Sequence, residues 1–183
     1  MILIINVCKE KLHYYEFVKP IEDVLKKNKL SFFTKRYGEV KKMDLQKADK
    51  VIICGTSLKD FNYHNNLGKF KWVKNFNKPI LGICAGMQII SSVLGSKQKN
   101  STEIGYYFEN FKKKFLSIEG EHEVYHLHND YFALPKNFDN FTDGKIPQAI
   151  RHKTKPIYGV LFHPEVRNKK LIEEFCKLVK VYD

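Results

Sequence analysis

A chain of 183 residues, 43% hydrophobic and 14% aromatic, is long and apolar enough to bury one core, which excludes a disordered tail. Its formal charge of +12 comes from lysines scattered along the chain (Lys26, Lys27, Lys29, Lys41, Lys42, Lys112, Lys113, Lys114, Lys169 and Lys170) without an aromatic-and-basic array, so a nucleic-acid partner is not expected. No apolar stretch reaches membrane-spanning length and Met1–Val7 lacks the pattern of a signal peptide, so no membrane association and a cytoplasmic location are expected.

The predicted elements alternate strand and helix. Met1–Val7 reads as a buried strand, and Tyr14–Asn28 as a helix with an apolar stripe at Phe17, Ile21, Val24 and Leu25, its start limited by Pro20. Ser31–Lys35 is a second strand, Tyr37-Gly38-Glu39 a turn, and Lys50–Cys54 a third strand ending at Gly55. A polar loop leads to a helix at Gly68–Phe76, then to the apolar run Pro79-Ile80-Leu81 and a helix at Ala85–Leu94. From Lys97 to Glu123 the pattern becomes short alternating segments, Ile104–Phe108 and Lys114–Ile118, which predict an antiparallel insert. Ile146–Arg151 and Ile157–Phe162 are late strands, joined by the turn His152–Pro156, and Asn168–Val179 is an amphipathic helix. Without repeats or linkers, this is an α/β fold in one domain over 1–183. The expectation is an open, mostly parallel sheet with helices on both faces and a small antiparallel insert.

Two segments carry chemistry. Gly82-Ile83-Cys84-Ala85-Gly86 follows a strand and opens a helix, the turn that exposes a nucleophile. Glycines on either side let the turn tighten and the helix pack close, and the positive end of the helix favours a negative sulfur. His163-Pro164-Glu165 follows the last strand; residues two apart in extended backbone point the same way, so Glu165 can orient the imidazole toward Cys84. Such sites collect at the carboxyl ends of strands, where Gly55 also lies. Cys8, Cys54 and Cys176 sit in or beside apolar runs and read as structural. His122, His126 and His128 crowd together, with His126 and His128 on one strand face. No carboxylate or cysteine at ligand spacing accompanies them, so no metal is expected and they read as surface or partner-facing.

Pro79–Gln88 and Tyr158–Val166 together resemble class I (triad-type) glutamine amidotransferases. Within that family, His152–Val160, Val166 and His128-Asn129-Asp130 are similar to the amidotransferase subunits of two-subunit GMP synthetases. The resemblance implies hydrolysis of glutamine through a Cys84 thioester, with His163 and Glu165 completing the catalytic set and no cofactor. It implies an oxyanion hole from backbone groups of Ala85, Gly55 and Thr56, and glutamine contacts from Gln88, Leu127, His128 and Asn129. It further implies that His128 and Asp130 face a separate synthetase that receives the ammonia. The loop Cys54-Gly55-Thr56-Ser57 departs from the Ser-Gly-Gly-Pro usual in relatives; a side chain at Thr56 makes a positive φ costly there. The alternatives are a catalytically impaired relative acting as a binding or regulatory protein, and a stand-alone γ-glutamyl hydrolase.

Overall fold

The computed structural model describes residues 1–178. A seven-stranded sheet has the order β2-β1-β3-β4-β9-β8-β7, and a separate two-stranded sheet pairs β5 with β6. β1 (Ile2–Asn6), β2 (Phe32–Arg36), β3 (Lys50–Ile53) and β4 (Ile80–Ile83) run parallel, and β9 (Ile157–Val160) joins β4 in the same sense. β8 (Ala149–His152) and β7 (Phe138–Asn140) then add an antiparallel edge.

β1 is buried on both sides because its side chains alternate between two cores. Ile2 and Ile4 join one core with Ile21, Val24 and Leu25 of α2 (Lys19–Lys27) and Leu171, Ile172 and Phe175 of α5 (Lys169–Lys177). Leu3 and Ile5 join the other, with Met87, Ile89 and Ile90 of α4 (Ala85–Val93) and Phe70 and Val73 of a 3-10 segment at His64–Asn75. The sheet is therefore covered on both faces, as the alternation predicts. Among the described residues, no helix is long and apolar enough to cross a membrane.

Several boundaries differ from expectation for identifiable reasons. Helical backbone begins upstream of Tyr14, at α1 (Lys11–His13), and passes through a π-turn at Tyr14–Val18 before α2. A wide turn accommodates Pro20, which has no N–H to give the preceding turn. The expected α-helix at Gly68–Phe76 is 3-10, and α3 (Lys42–Lys47) is a short helix the sequence pattern did not reveal. β8 starts at Ala149 rather than Ile146, since Pro147 cannot donate to a ladder. The expected terminus of the last helix, Val179, lies outside the described residues.

The insert is the largest correction. It is one long hairpin, β5 (Gln98–Phe115) and β6 (Ile118–Phe132), and the segment read as a single strand at Lys114–Ile118 spans its turn at Leu116-Ser117, with Leu116 at φ 53°. One face of β5 leaves Ile104, Tyr106 and Phe108 exposed, while Phe111, Phe115, Ile118 and Val124 anchor the hairpin's base in the α2/α5 core.

Candidate active site

The turn between β4 and α4 holds Cys84 at φ 46°, ψ −104°, a conformation that L-residues adopt only under constraint. The glycines beside it explain why the constraint is tolerated. A Cβ on Gly82 would stand 2.6 Å from the Gly86 backbone, and one on Gly86 would stand 2.1 Å from the Ile53 carbonyl oxygen. Strand β3, strand β4 and helix α4 meet here at closer range than any side chain permits. The Cys84 N–H donates to Val160 O at 2.8 Å, tying the turn to β9.

β9 leads through Leu161 and Phe162 to His163, which is completely buried. Its Nδ1 lies 2.7 Å from Oε1 of Glu165, also buried, so a proton on Nδ1 is held by the carboxylate and Nε2 is left available. Nε2 is buried and has no hydrogen-bond partner. Burial alone works to lower the pKa of His163, but the Glu165 carboxylate and the Cys84 sulfur raise it well above the ordinary histidine value. Phe17 packs against the imidazole with ring centroids 5.2 Å apart. Gly55 passes beneath it: a Cβ there would lie 2.6 Å from Cε1 of His163 and 3.4 Å from Cβ of Cys84. The structure thus brings Cys84, His163, Glu165 and Gly55 together from three strand ends.

β6 forms the opposite wall. The His163 N–H donates to Tyr125 O at 2.8 Å, and the Cys84 thiol has Leu127 O 3.5 Å away. A small, open cleft lies over the sulfur. Ala85, Gln88, Thr56, Leu127, His128, Asn129 and Asp130 all line it. The N–H of Ala85, in the first turn of α4, has no carbonyl one turn earlier to bond. Gly55 does not line the cleft; it is the floor under His163. Neither Gly55 nor Thr56 is among the residues at positive φ, so the conformation that Thr56 would disfavour is not used. Instead, the Thr56 hydroxyl donates to Asp60 Oδ2 at 2.9 Å.

Gln88 is held from both ends of its amide. Tyr63 OH donates to its Oε1 at 2.7 Å, and its Nε2 donates to Asp130 O at 2.8 Å. Sequence reasoning missed Tyr63, Asp60 and Phe17 as site residues. Tyr63 and Asp60 sit in a segment without strand or α-helical periodicity, and Phe17 reads equally well as a helix stripe. Cys8, Cys54 and Cys176 are buried thiols, as expected: burial pushes Cys8 up to about 11, Cys176 up to about 12, and Cys54 well above the ordinary value.

Two histidine expectations are overturned. His126 and His128 are buried, not surface or partner-facing, because their face of β6 turns inward beside Val124. A carboxylate does accompany them: the hairpin register sets Glu103 opposite His128, so Glu103, His126 and His128 present ligand-type atoms within 4.8 Å of one another.

The family model for class I glutamine amidotransferases matches residues 13–178. A glutamine-hydrolysing GMP synthase subunit from Methanosphaera stadtmanae is 37% identical over 123 residues, 60% of this chain and 66% of that one. Its counterpart from Methanocaldococcus jannaschii is 34% identical over 57% of this chain and 62% of its own. The matched part of this chain thus spans less than two thirds of the length of either relative. Among solved structures, a protein named as a GMP synthase subunit from Thermoplasma acidophilum superposes with TM-score 0.82 at 23% identity, covering 95% of this chain and 90% of that one. A glutamine amidotransferase from Thermotoga maritima gives TM-score 0.71 at 24% identity, covering 96% and 81%, so both show a shared fold. With a strained cysteine turn, a buried imidazole–carboxylate pair and a family match across most of its length, the chain belongs to the class I glutamine amidotransferases.

Proposed function

We propose that the chain is the glutaminase component of a two-component synthetase, in which Cys84, His163 and Glu165 hydrolyse glutamine to glutamate and ammonia. The observation that carries this reading is the placement of Cys84, in its strained turn, beside a buried His163 whose Nδ1 is 2.7 Å from Glu165. The sulfur leaves the Leu127 carbonyl, passes its proton to Nε2 and attacks the side-chain amide carbon of glutamine. Backbone N–H groups at Ala85 and in the Gly55-Thr56 loop hold the oxyanion, each donor worth about 2.7–4 kcal/mol to the transition state. The C–N bond breaks as His163 returns the proton to the departing nitrogen, giving ammonia and a thioester. His163 then takes a proton from water, which attacks the thioester to give glutamate and the free thiol. Gln88 and backbone groups of Leu127, His128 and Asn129 hold the amino-acid end of glutamine.

The relatives named as GMP synthase subunits support GMP synthesis as the destination of the ammonia, with a separate synthetase in the cytoplasm as partner. The exposed Ile104, Tyr106 and Phe108, on the hairpin that walls the cleft, suit an apolar contact with that partner, while Asp130 lies at the cleft itself. Glutamate release is measured with the chain alone and with the synthetase component of a two-component GMP synthetase. Stimulation by that component is expected. Folded protein that releases no glutamate under either condition overturns the reading and favours a non-catalytic binding protein, the alternative suggested by a thiol directed at Leu127 O.

A further inference from the structure

Inside the hairpin, next to the cleft but separate from the Cys84 chemistry, lies a polar cluster that the proposed reaction does not use. His126 is fully buried and His128 nearly so, and none of their four ring nitrogens has a directed hydrogen bond. Buried polar groups in that state are rare and costly. Glu103 Oε2 lies 2.8 Å from His128 Nε2 and 3.7 Å from His126 Nδ1. Those separations bracket the roughly 3.3 Å expected between donors around a tetrahedral Zn²⁺ with ligands at about 2.0–2.2 Å. The other nitrogen of His126, Nε2, lies 3.3 Å from Glu109 Oε1. A carboxylate behind a ligating imidazole fixes its tautomer and orientation. Gln148 donates to Glu103 Oε2 at 2.7 Å and holds that carboxylate in turn.

We propose that Glu103, His126 and His128 form a structural binding site for a borderline-soft divalent cation of the Zn²⁺ type, with Glu109 as the outer carboxylate. Two imidazoles select such a metal over Mg²⁺ or Ca²⁺, and two glutamates balance its charge. The side chain of Glu103 is 18% exposed, which leaves one edge open for entry and for a water as fourth ligand. The consequence reaches the active site through Leu127, which sits between the two histidines and accepts the Cys84 thiol through its carbonyl. A cation joining His126 to His128 fixes that stretch of β6 and hence the cleft wall.

The test uses the full chain, stripped with chelator and titrated with Zn²⁺ and with Co²⁺. One equivalent is expected to bind, with the visible absorption of a low-coordinate Co²⁺ centre and no sulfur charge-transfer band, unchanged in Cys84→Ser. Glu103→Gln and His126→Gln should abolish binding, and Glu109→Gln should weaken it about 10–100-fold. If His126→Gln fails to fold, histidine nitrogen chemical shifts in the wild type decide: two histidines must shift with one equivalent of Zn²⁺. Wild-type protein that takes up no stoichiometric metal, or takes it up equally well in Glu103→Gln, overturns the proposal and leaves the cluster a buried group of close histidine–carboxylate contacts.

Discussion

Gly55 and His163 are in contact so close that only the absence of a side chain on the first allows the second its position: a Cβ on Gly55 would lie 2.6 Å from Cε1 and 3.1 Å from Nδ1 of the imidazole. The ring cannot yield, since Phe17 and Glu165 hold its other sides. Gly55→Ala should therefore displace His163 while β3, which ends two residues earlier, stays intact. Glutaminase kcat is expected to fall by about 10²–10⁴-fold, the range of general acid–base assistance. Wild-type turnover in this variant, with an unchanged circular dichroism spectrum, would refute the geometry.

The pair His163–Glu165 also makes stability depend on pH. His163 has a folded pKa raised well above its ordinary value, so the native state binds protons that the unfolded chain has already released. Its contribution is fully present below the unfolded pKa and is lost as pH rises through the folded one. Glu165→Gln removes the charge that raises it. The Tm difference between wild type and Glu165→Gln should be largest at the acidic end of that window and shrink as pH increases. A difference that grows with pH has the wrong sign for this pairing.

Tyr63 controls Gln88. Its hydroxyl donates to Oε1, and Tyr63→Phe leaves that buried oxygen without a donor at a cost of about 1–3 kcal/mol. Urea unfolding reads the loss. Because Gln88 lines the cleft and is proposed to hold the amino-acid end of glutamine, KM for glutamine should rise more than kcat falls. An equal fall in kcat and kcat/KM would place Tyr63 in the chemical step instead.

What the sequence made legible is local. The cysteine turn requires glycines within two residues on either side, and the His163–Glu165 pairing requires a spacing of two along extended backbone, so each is written in a few consecutive letters. The sheet is legible because β1 and β3 must be apolar on both faces. Glu103 and Glu109 were not legible beside His126 and His128, because that neighbourhood exists only through the register of a long hairpin, shifted between Asn100 and Glu103. The hairpin itself was obscured by its solvent face, where Lys112, Lys113 and Lys114 interrupt the apolar alternation although the strand continues to Phe115.

The four thiols should separate cleanly by reactivity. Cys84 lines the cleft, whereas burial pushes Cys8 up to about 11, Cys176 up to about 12 and Cys54 well above the ordinary value. A glutamine-analogue electrophile near neutral pH is expected to add one equivalent, all of it on Cys84 by peptide mass mapping. Modification spread over Cys8 or Cys176 in the folded protein contradicts this assignment.

Asp60 determines where the loop after β3 lies. It is buried, its Oδ2 accepts from the Thr56 hydroxyl at 2.9 Å and from the Lys9 N–H, and His13 Nδ1 stands 3.5 Å away. The loop carries Thr56 into the lining of the cleft with Ala85, so in the proposed reaction its position sets the second oxyanion donor. Asp60→Ala releases Thr56 and the N-terminal segment together. If that donor is lost, kcat should fall by up to about 10²–10³-fold while KM for glutamine stays nearly unchanged, because the oxyanion exists only in the transition state. Thr56→Val, which removes the hydroxyl but keeps the shape, should show the same split at smaller amplitude. A variant that loses thermal stability yet keeps wild-type kcat would mean that Asp60 braces the loop without serving the reaction.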